Sequence, residues 1–144
     1  MRKIIILLSV FFLLLSIPGC KKKLLITFTF ANINSWQELF TDPVEKVLVF
    51  VEDKNSPGDK VIFRFQSFDE RAVYLRVGEM EEDLKKHDYK IEDIEIIIHN
   101  HFVKCKFSES DKGQYRALKR RGFNGLFLLY CQRTKEVYDI EEKK

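Results

Sequence analysis

The sequence predicts a mainly β domain, an antiparallel sandwich or small barrel of about seven strands with one or two short helices, or alternatively an α+β sheet. Three observations favour this class. Several segments alternate apolar and polar residues with the period of two that is typical of strands. Turn-forming residues separate these segments, and only one stretch carries a clear helical pattern. Residues 24–144 are long enough for a single domain with one core.

The first strand is predicted from Leu24 to Ile33, where apolar residues alternate with threonine. Ser35 followed three residues later by Glu38 resembles a capping box and predicts one or two turns of helix. The next strand, Val47 to Val51, is apolar throughout, as expected for a strand that is covered on both faces. This part of the chain therefore predicts two strands around a short helix.

A hairpin follows, with its loop at Ser56-Pro57-Gly58-Asp59, where Pro and Gly occupy the central positions of a type II turn. The returning strand runs from Val61 to Gln66, and a further strand is predicted from Val73 to Val77. From Glu79 to His87 the apolar spacing changes to four. Acidic residues begin this segment and lysines end it, which complements a helix dipole. It is therefore predicted to be a helix.

Ile91 to Phe107 is predicted to be one long strand whose buried face changes partway. Isoleucines occupy even positions in its first half, whereas apolar residues occupy odd positions in its second half. A β-bulge near His99 to His101 would turn both sets inward. The last two strands are predicted from Leu126 to Gln132 and from Val137 to Ile140.

The first twenty residues are typical of an export signal. A basic start, Met1-Arg2-Lys3, precedes an apolar run from Ile4 to Ile17, and Gly19 stands before Cys20. This arrangement resembles the lipobox of bacterial lipoproteins, although Pro18 departs from the usual pattern. The resemblance implies a signal peptide over residues 1–19, diacylglycerol on the Cys20 thiol and a short basic tether over residues 20–23. The alternatives are an unlipidated secretory signal and a membrane span, for which the apolar run is short.

Charge argues against nucleic acid as a partner. The full chain carries 25 basic and 22 acidic residues. Arg2 and Lys3 are the only charged residues of the predicted leader, so 23 basic residues remain against 22 acidic ones. A nearly neutral domain lacks the concentrated positive field that nucleic-acid binding requires. The predicted partners are the membrane, through the lipid, and another protein of the cell envelope, so the protein would face the periplasm or the cell surface.

Cys105 and Cys131 are the other two cysteines, and both lie in apolar segments. If these segments pair as antiparallel neighbours around a centre near Leu118, the two sulfurs lie close together. An exported protein resides where disulfides persist. The sequence therefore predicts a Cys105–Cys131 disulfide, with two buried thiols as the alternative.

His99 and His101 project to one face of a strand, and Cys105 shares their parity, so these three side chains are conceivable zinc ligands. The predicted bulge would break this common face, and the simpler interpretation is two partly exposed strand histidines. No serine lies in a nucleophile elbow, and no glycine-rich phosphate loop is present. The sequence therefore assigns no catalytic residue, no metal ligand and no cofactor.

A basic cluster is formed by Arg116, Lys119, Arg120 and Arg121, which lie at helical spacing in the connection from Ser108 to Gly125. Long connections between strands are often functional. These residues are candidates for binding an acidic partner or lipid headgroups, and a solvated face is the alternative.

Together these features predict a lipid-anchored envelope protein that acts without catalysis, as a protein-binding module of an accessory, assembly or immunity type. Two alternatives remain open. The many aromatic residues are also compatible with a cavity that carries an apolar or lipid ligand, and an enzyme whose site leaves no sequence signature is the third.

Overall fold

The computed structural model describes residues 24–28, 36–66 and 75–141, and of residues 24–28 and 66 it describes the backbone only. Within these ranges six strands form a single mixed sheet with the order β1-β3-β2-β4-β5-β6. The strands are β1 (Leu24–Phe28), β2 (Lys46–Glu52), β3 (Lys60–Gln66), β4 (Ile94–His101), β5 (Leu126–Cys131) and β6 (Glu136–Asp139). The helices are α1 (Trp36–Leu39), α2 (Val77–Lys85) and α3 (Glu109–Lys119), with a 3-10 helix at Ile91–Asp93.

The central strands of the sheet are buried on both faces. One face, formed by odd-numbered residues of β2 and β4 such as Val49 and Ile97, packs against apolar residues of α2 and α3. The opposite face, which includes Phe50 and Ile98, packs with Phe40 at the end of α1. This explains why β2 is apolar at every central position, as its sequence indicates.

The connection between β4 and β5 determines the topology. Helix α3 crosses the sheet between these two strands, so β4 and β5 run parallel, with His99 beside Leu129 and His101 beside Cys131. Parallel neighbours require such a crossover. The close approach just before β5 needs Gly125, because an added Cβ there would lie 2.3 Å from the carbonyl oxygen of Glu95.

The α+β alternative therefore describes the fold, and the antiparallel sandwich or barrel does not. The sheet ends at the edge strands β1 and β6 and is not a closed barrel. Its six described strands include a parallel pair. The predicted count of seven strands was wrong for the described residues. Val77, which the sequence placed at the end of a strand, begins helix α2 instead. Residues 67–74 and the end of the first predicted strand, residues 29–33, lie outside the described ranges.

The long strand predicted from Ile91 to Phe107 is also shorter in the structure. Its start is the 3-10 helix, and β4 ends at His101. Residues 102–107 are a loop, so no bulge is needed to turn their apolar side chains inward. The register irregularity of β4 lies at its other end, where Phe50 pairs with Ile96 and Val51 pairs with Ile94.

Several other predictions are confirmed. The turn at Ser56 to Asp59 closes with a 2.9 Å hydrogen bond, and Gly58 has the positive φ of 95° that the type II turn requires. Helix α2 begins two residues before its predicted start. The Cys105–Cys131 disulfide is present with a Cα–Cα distance of 5.1 Å. The prediction that the two cysteine-containing segments pair as antiparallel neighbours was wrong, because Leu118 lies in a crossover helix and not at the centre of a hairpin.

Among the described helices, none is both long and apolar enough for a transmembrane span.

Candidate functional site

The candidate site lies at the carboxyl end of β4, where the chain leaves the sheet before entering α3. His99 and His101 are two residues apart on this strand and share the face that packs against the helices. Their ring centroids are 4.9 Å apart. Ligand sites in sheets with crossover helices are common at the carboxyl ends of parallel strands.

Asp111 approaches the two histidines from the first turn of α3. Ser108 is the N-cap of this helix, and its hydroxyl accepts a hydrogen bond of 3.1 Å from the backbone N–H of Asp111. In return, the backbone N–H and the hydroxyl of Ser108 donate to Oδ2 of Asp111, at 2.6 and 2.7 Å. This reciprocal cap fixes the Asp111 carboxylate and directs Oδ1 toward β4.

The three side chains form one compact group of nitrogen and oxygen donors. Nε2 of His99 lies 3.4 Å from Oδ1 of Asp111, and Nε2 of His101 lies 3.8 Å from Oδ2. One donor atom from each residue lies within 4.8 Å of the others. Ligands of a tetrahedral zinc ion, with bonds of about 2.0–2.1 Å, are about 3.3 Å apart. The group therefore has nearly the dimensions of a three-ligand metal site.

The Nε2 atom of His99 makes a long contact inside this group. The residue is only 7% exposed, and the 3.4 Å contact of Nε2 with Oδ1 of Asp111 does not have hydrogen-bond geometry. Phe107 and Phe127 pack around the ring, with centroids 5.9 and 5.7 Å away. A contact of this kind satisfies a buried nitrogen less well than a direct hydrogen bond does. A cation bound between His99 and Asp111 would be a partner for both groups.

His101 is oriented from its other side. Its Nδ1 lies 2.9 Å from the carbonyl oxygen of Lys104, which only accepts hydrogen bonds, so Nδ1–H is the donor. In the neutral ring this leaves Nε2 unprotonated, with its lone pair toward Asp111. Metal-binding histidines usually donate their second ring N–H in this way, to a carbonyl or a carboxylate.

Asp111 is charged at neutral pH. Burial alone would raise the pKa of this carboxyl, but the neighbouring His99 and the hydrogen bonds from Ser108 outweigh it and lower the pKa to about 2. A buried carboxylate next to two imidazoles is a strong anionic donor for a divalent cation.

His101 is the member of the group that lines a surface cleft of about 580 Å³, together with Ser108. Glu45 lines the same cleft. Val47 pairs with His99 in the antiparallel register of β2 and β4, and continuing that register by two residues places Glu45 opposite His101. Residues directly opposite each other project to the same face, so a carboxylate stands on the same side as the two histidines. The remaining lining residues are Phe102, Val103, Lys104, Lys106 and Phe107.

The strand that carries the histidines is fixed on both sides. Between them, the buried Asn100 accepts a hydrogen bond from the backbone N–H of Lys46 and donates one to the carbonyl of Val44. On the other side, the backbone N–H of Gln132 donates to the carbonyl of His101 at 2.9 Å. The two imidazoles are thus held by a rigid part of the sheet, which favours a preorganised site.

The structure separates the zinc ligands that the sequence suggested. His99 and His101 share a face, but Cys105 forms the disulfide and is not available as a thiolate. Asp111 takes the third position instead. Sequence analysis missed this residue because it lies on another element, although Ser108 followed three residues later by Asp111 is a recognisable capping pattern.

The basic cluster lies at the opposite end of α3. Arg116 and Arg120 are exposed. Lys119 lies 3.6 Å from Glu141, and Arg121 lies 3.4 Å from Glu81, so intramolecular ion pairs partly neutralise the cluster. Cys20, the predicted lipid attachment site, lies outside the described residues.

The fold and the site define an α+β protein with a candidate metal centre at the end of a central strand. No protein-family model, no curated protein and no solved structure gave a significant match to the chain.

Proposed function

We propose that this protein is a metal-dependent hydrolase and that His99, His101 and Asp111 hold a divalent ion, best fitted by Zn²⁺. One observation carries the proposal: the buried Nε2 of His99 and the Nε2 of His101 both face the charged Asp111 carboxylate, at 3.4 and 3.8 Å, and neither contact has hydrogen-bond geometry. A direct charge-assisted hydrogen bond between such groups would be about 2.7–2.9 Å long.

The donor set favours catalysis over a structural role for the ion. Structural zinc sites use four protein ligands, whereas catalytic sites use three and leave one position for water or substrate. Here the group has three donor side chains, and one of them, His101, lines an open cleft. A zinc ion in such a site lowers the pKa of a bound water to about 7 and polarises a carbonyl group.

The chain's own residues supply the remaining functions. Glu45, on the same side of the sheet as the histidines, is the candidate general base that accepts the proton of the attacking water. Ser108 holds the Asp111 carboxylate through two hydrogen bonds, and the carbonyl of Lys104 holds the ring of His101. The buried Phe127 and the partly buried Phe107 pack around His99 and keep water from one side of the group.

The cleft indicates the substrate class. Phe102, Val103 and Phe107 give it an apolar lining, and Lys104 and Lys106 add positive charge. Val103 is 65% exposed, so its side chain is available for contact with a partner. We infer that the reaction is hydrolysis of a peptide or amide bond in a polypeptide segment.

Metal titration of the full chain in detergent, after removal of metal with a chelator, tests this function. We expect one Zn²⁺ per chain, and an affinity at least about tenfold lower in His101→Gln and Asp111→Asn, because each loses a ligand. His87→Gln is the matched control, since His87 is the third histidine of the chain, is exposed, and is not part of the group.

Hydrolysis is then measured by mass spectrometry on a mixture of peptides. Cleavage should disappear with chelator and return with Zn²⁺, and Glu45→Gln should bind the ion but not cleave. The proposed centre is contradicted if the wild type binds no Zn²⁺. It is also contradicted if His87→Gln and His101→Gln weaken Zn²⁺ binding equally. Metal binding without cleavage of any peptide contradicts the proposed reaction.

A second candidate function is the non-enzymatic protein-binding module. The exposed Arg116 and Arg120 on α3 support it, because they have no evident role in the core. The apolar-ligand carrier has less support, since the cleft is open at the surface and the sheet faces are filled with buried side chains.

For either function we propose an envelope location with a lipid on Cys20, facing the periplasm or the cell surface. The support is the lipobox-like sequence before Cys20 and the Cys105–Cys131 disulfide, a bond that persists in oxidising compartments.

A further inference from the structure

The loop between the two halves of the candidate site is covalently attached to the neighbouring strand. Residues 102–107 connect His101 to Ser108, and thus one proposed ligand to the residue that orients another. Cys105, within this loop, is bonded to Cys131, the last residue of β5. The disulfide therefore closes the loop against the sheet beside the site.

Cys131 is also the register partner of His101 in the parallel pair of β4 and β5. The next residue, Gln132, donates its backbone N–H to the carbonyl of His101. The backbone of His101 is thereby fixed to the end of β5, and the loop that returns over the ring is fixed to the same point.

The hydrogen bond that orients the His101 ring comes from this loop. Its acceptor is the carbonyl of Lys104, the residue that immediately precedes Cys105. Lys104 itself is exposed, and so is its neighbour Val103. In the described structure the disulfide is the covalent link that holds this carbonyl in place.

We propose that the Cys105–Cys131 disulfide is a positioning group for the metal site: it holds the Lys104 carbonyl against Nδ1 of His101 and so determines the affinity for the ion. This inference depends on the metal centre proposed above. Partners that orient metal-binding histidines typically contribute 10–100-fold to metal affinity.

Reduction of this disulfide would then regulate metal binding at the site. A dithiol reductant transfers two electrons and two protons, so that Cys105 and Cys131 become thiols while the reductant forms its own disulfide. The loop is released, and the orienting hydrogen bond to His101 is lost. The oxidised envelope form would be the competent one, and reduced protein would bind metal weakly.

The test compares zinc affinity in three forms of the full chain: oxidised wild type, wild type reduced with a dithiol, and the double variant Cys105→Ala, Cys131→Ala. The double variant excludes direct binding of zinc by the released thiols. We expect zinc affinity to be at least about tenfold lower in both altered forms. In these forms the NMR signals of the His101 ring should no longer report a single ring orientation.

All titrations are made well below the thermal midpoint of each form, because a merely structural disulfide would lower that midpoint without changing zinc affinity. Equal or tighter binding in both altered forms overturns the inference and leaves the metal centre intact. A form that loses its sheet signal in circular dichroism also overturns it, since the disulfide would then hold the whole fold. Absence of zinc binding in the oxidised wild type overturns the metal centre as well.

Discussion

At the scale of single residues, short-range hydrogen bonds determine the chemistry of the candidate site. The pKa of Asp111 is lowered to about 2 even though the residue is buried, because Ser108 and His99 stabilise its charged form. Nε2 of His99 lies 3.4 Å from this carboxylate without hydrogen-bond geometry. An anionic carboxylate that faces two imidazoles at more than direct hydrogen-bond length distinguishes this group from an ordinary buried ion pair.

Tyr115 offers a pH-dependent test of the α3 packing. Burial, the hydrogen bond that its hydroxyl donates to Glu141, and the charges of Glu141 and Asp139 raise its pKa from 10.0 to about 12. The folded protein therefore retains the phenolic proton more strongly than the unfolded chain does. We expect the resulting stabilisation to be complete below pH 10 and to be lost as the pH rises toward 12.

Urea unfolding from neutral pH to pH 12 measures this effect. Tyr115→Phe should remove this part of the pH dependence, whereas Tyr138→Phe, which leaves the Tyr115–Glu141 bond in place, should keep the wild-type profile. An identical alkaline decline in wild type and Tyr115→Phe would show that the Tyr115 hydroxyl contributes nothing.

At the scale of elements, helix α3 carries residues of both the candidate metal centre and the basic cluster. Its first turn places Asp111 beside the histidines, its buried Leu118 packs on the sheet, and its last turn exposes the basic cluster. The proposed metal centre and the basic cluster are therefore joined by one amphipathic helix. They are separated along the helix axis by about 1.5 Å for each residue between them.

The basic cluster is testable as a unit. Replacing Arg116, Lys119, Arg120 and Arg121 with Ser should reduce capture of an acidic envelope partner, and in the wild type that capture should weaken with salt, because exposed charges are screened beyond about 8 Å at physiological ionic strength. The thermal midpoint should change little, since surface ion pairs such as Lys119–Glu141 are worth about 0–1 kcal/mol.

Zinc affinity is the internal control for this variant, because Asp111 lies at the other end of the helix and should be unaffected. Unchanged capture would identify the cluster as an ordinary solvated surface. A large loss of stability would show instead that the aliphatic parts of these side chains pack on the core.

At the scale of the whole molecule, the arrangement places the cleft and the disulfide at the same end of the sheet. β4 lies between β2 and β5, so its carboxyl end, which carries the two histidines, lies beside the start of β2 on one side and beside Cys131 on the other. A lipid on Cys20 would attach this domain to a membrane through a short tether and the edge strand β1.

The anchor is tested by Cys20→Ala in cells. The thiol that accepts the diacylglycerol is then absent, so fatty-acid labelling should be abolished and an unprocessed precursor should accumulate. Each acyl CH₂ that enters the membrane contributes about 0.8 kcal/mol, so membrane attachment should fall as well. The matched control is Cys105→Ala, which should still be labelled. Fatty-acid labelling that persists in Cys20→Ala would contradict the lipobox interpretation.

The sequence by itself determined most strands, the turn at Ser56 to Asp59, helix α2 and the pairing of Cys105 with Cys131, because each depends on local periodicity, turn chemistry or residue count. The tertiary structure alone decided that β4 and β5 are parallel and that Asp111 meets His99 and His101. Helix α3 begins at Glu109, eight residues after β4 ends at His101, and no local pattern specifies whether the strand after such a helix returns parallel or antiparallel. The candidate metal centre is a product of that choice, since its three donors come from two elements that meet only in the folded chain.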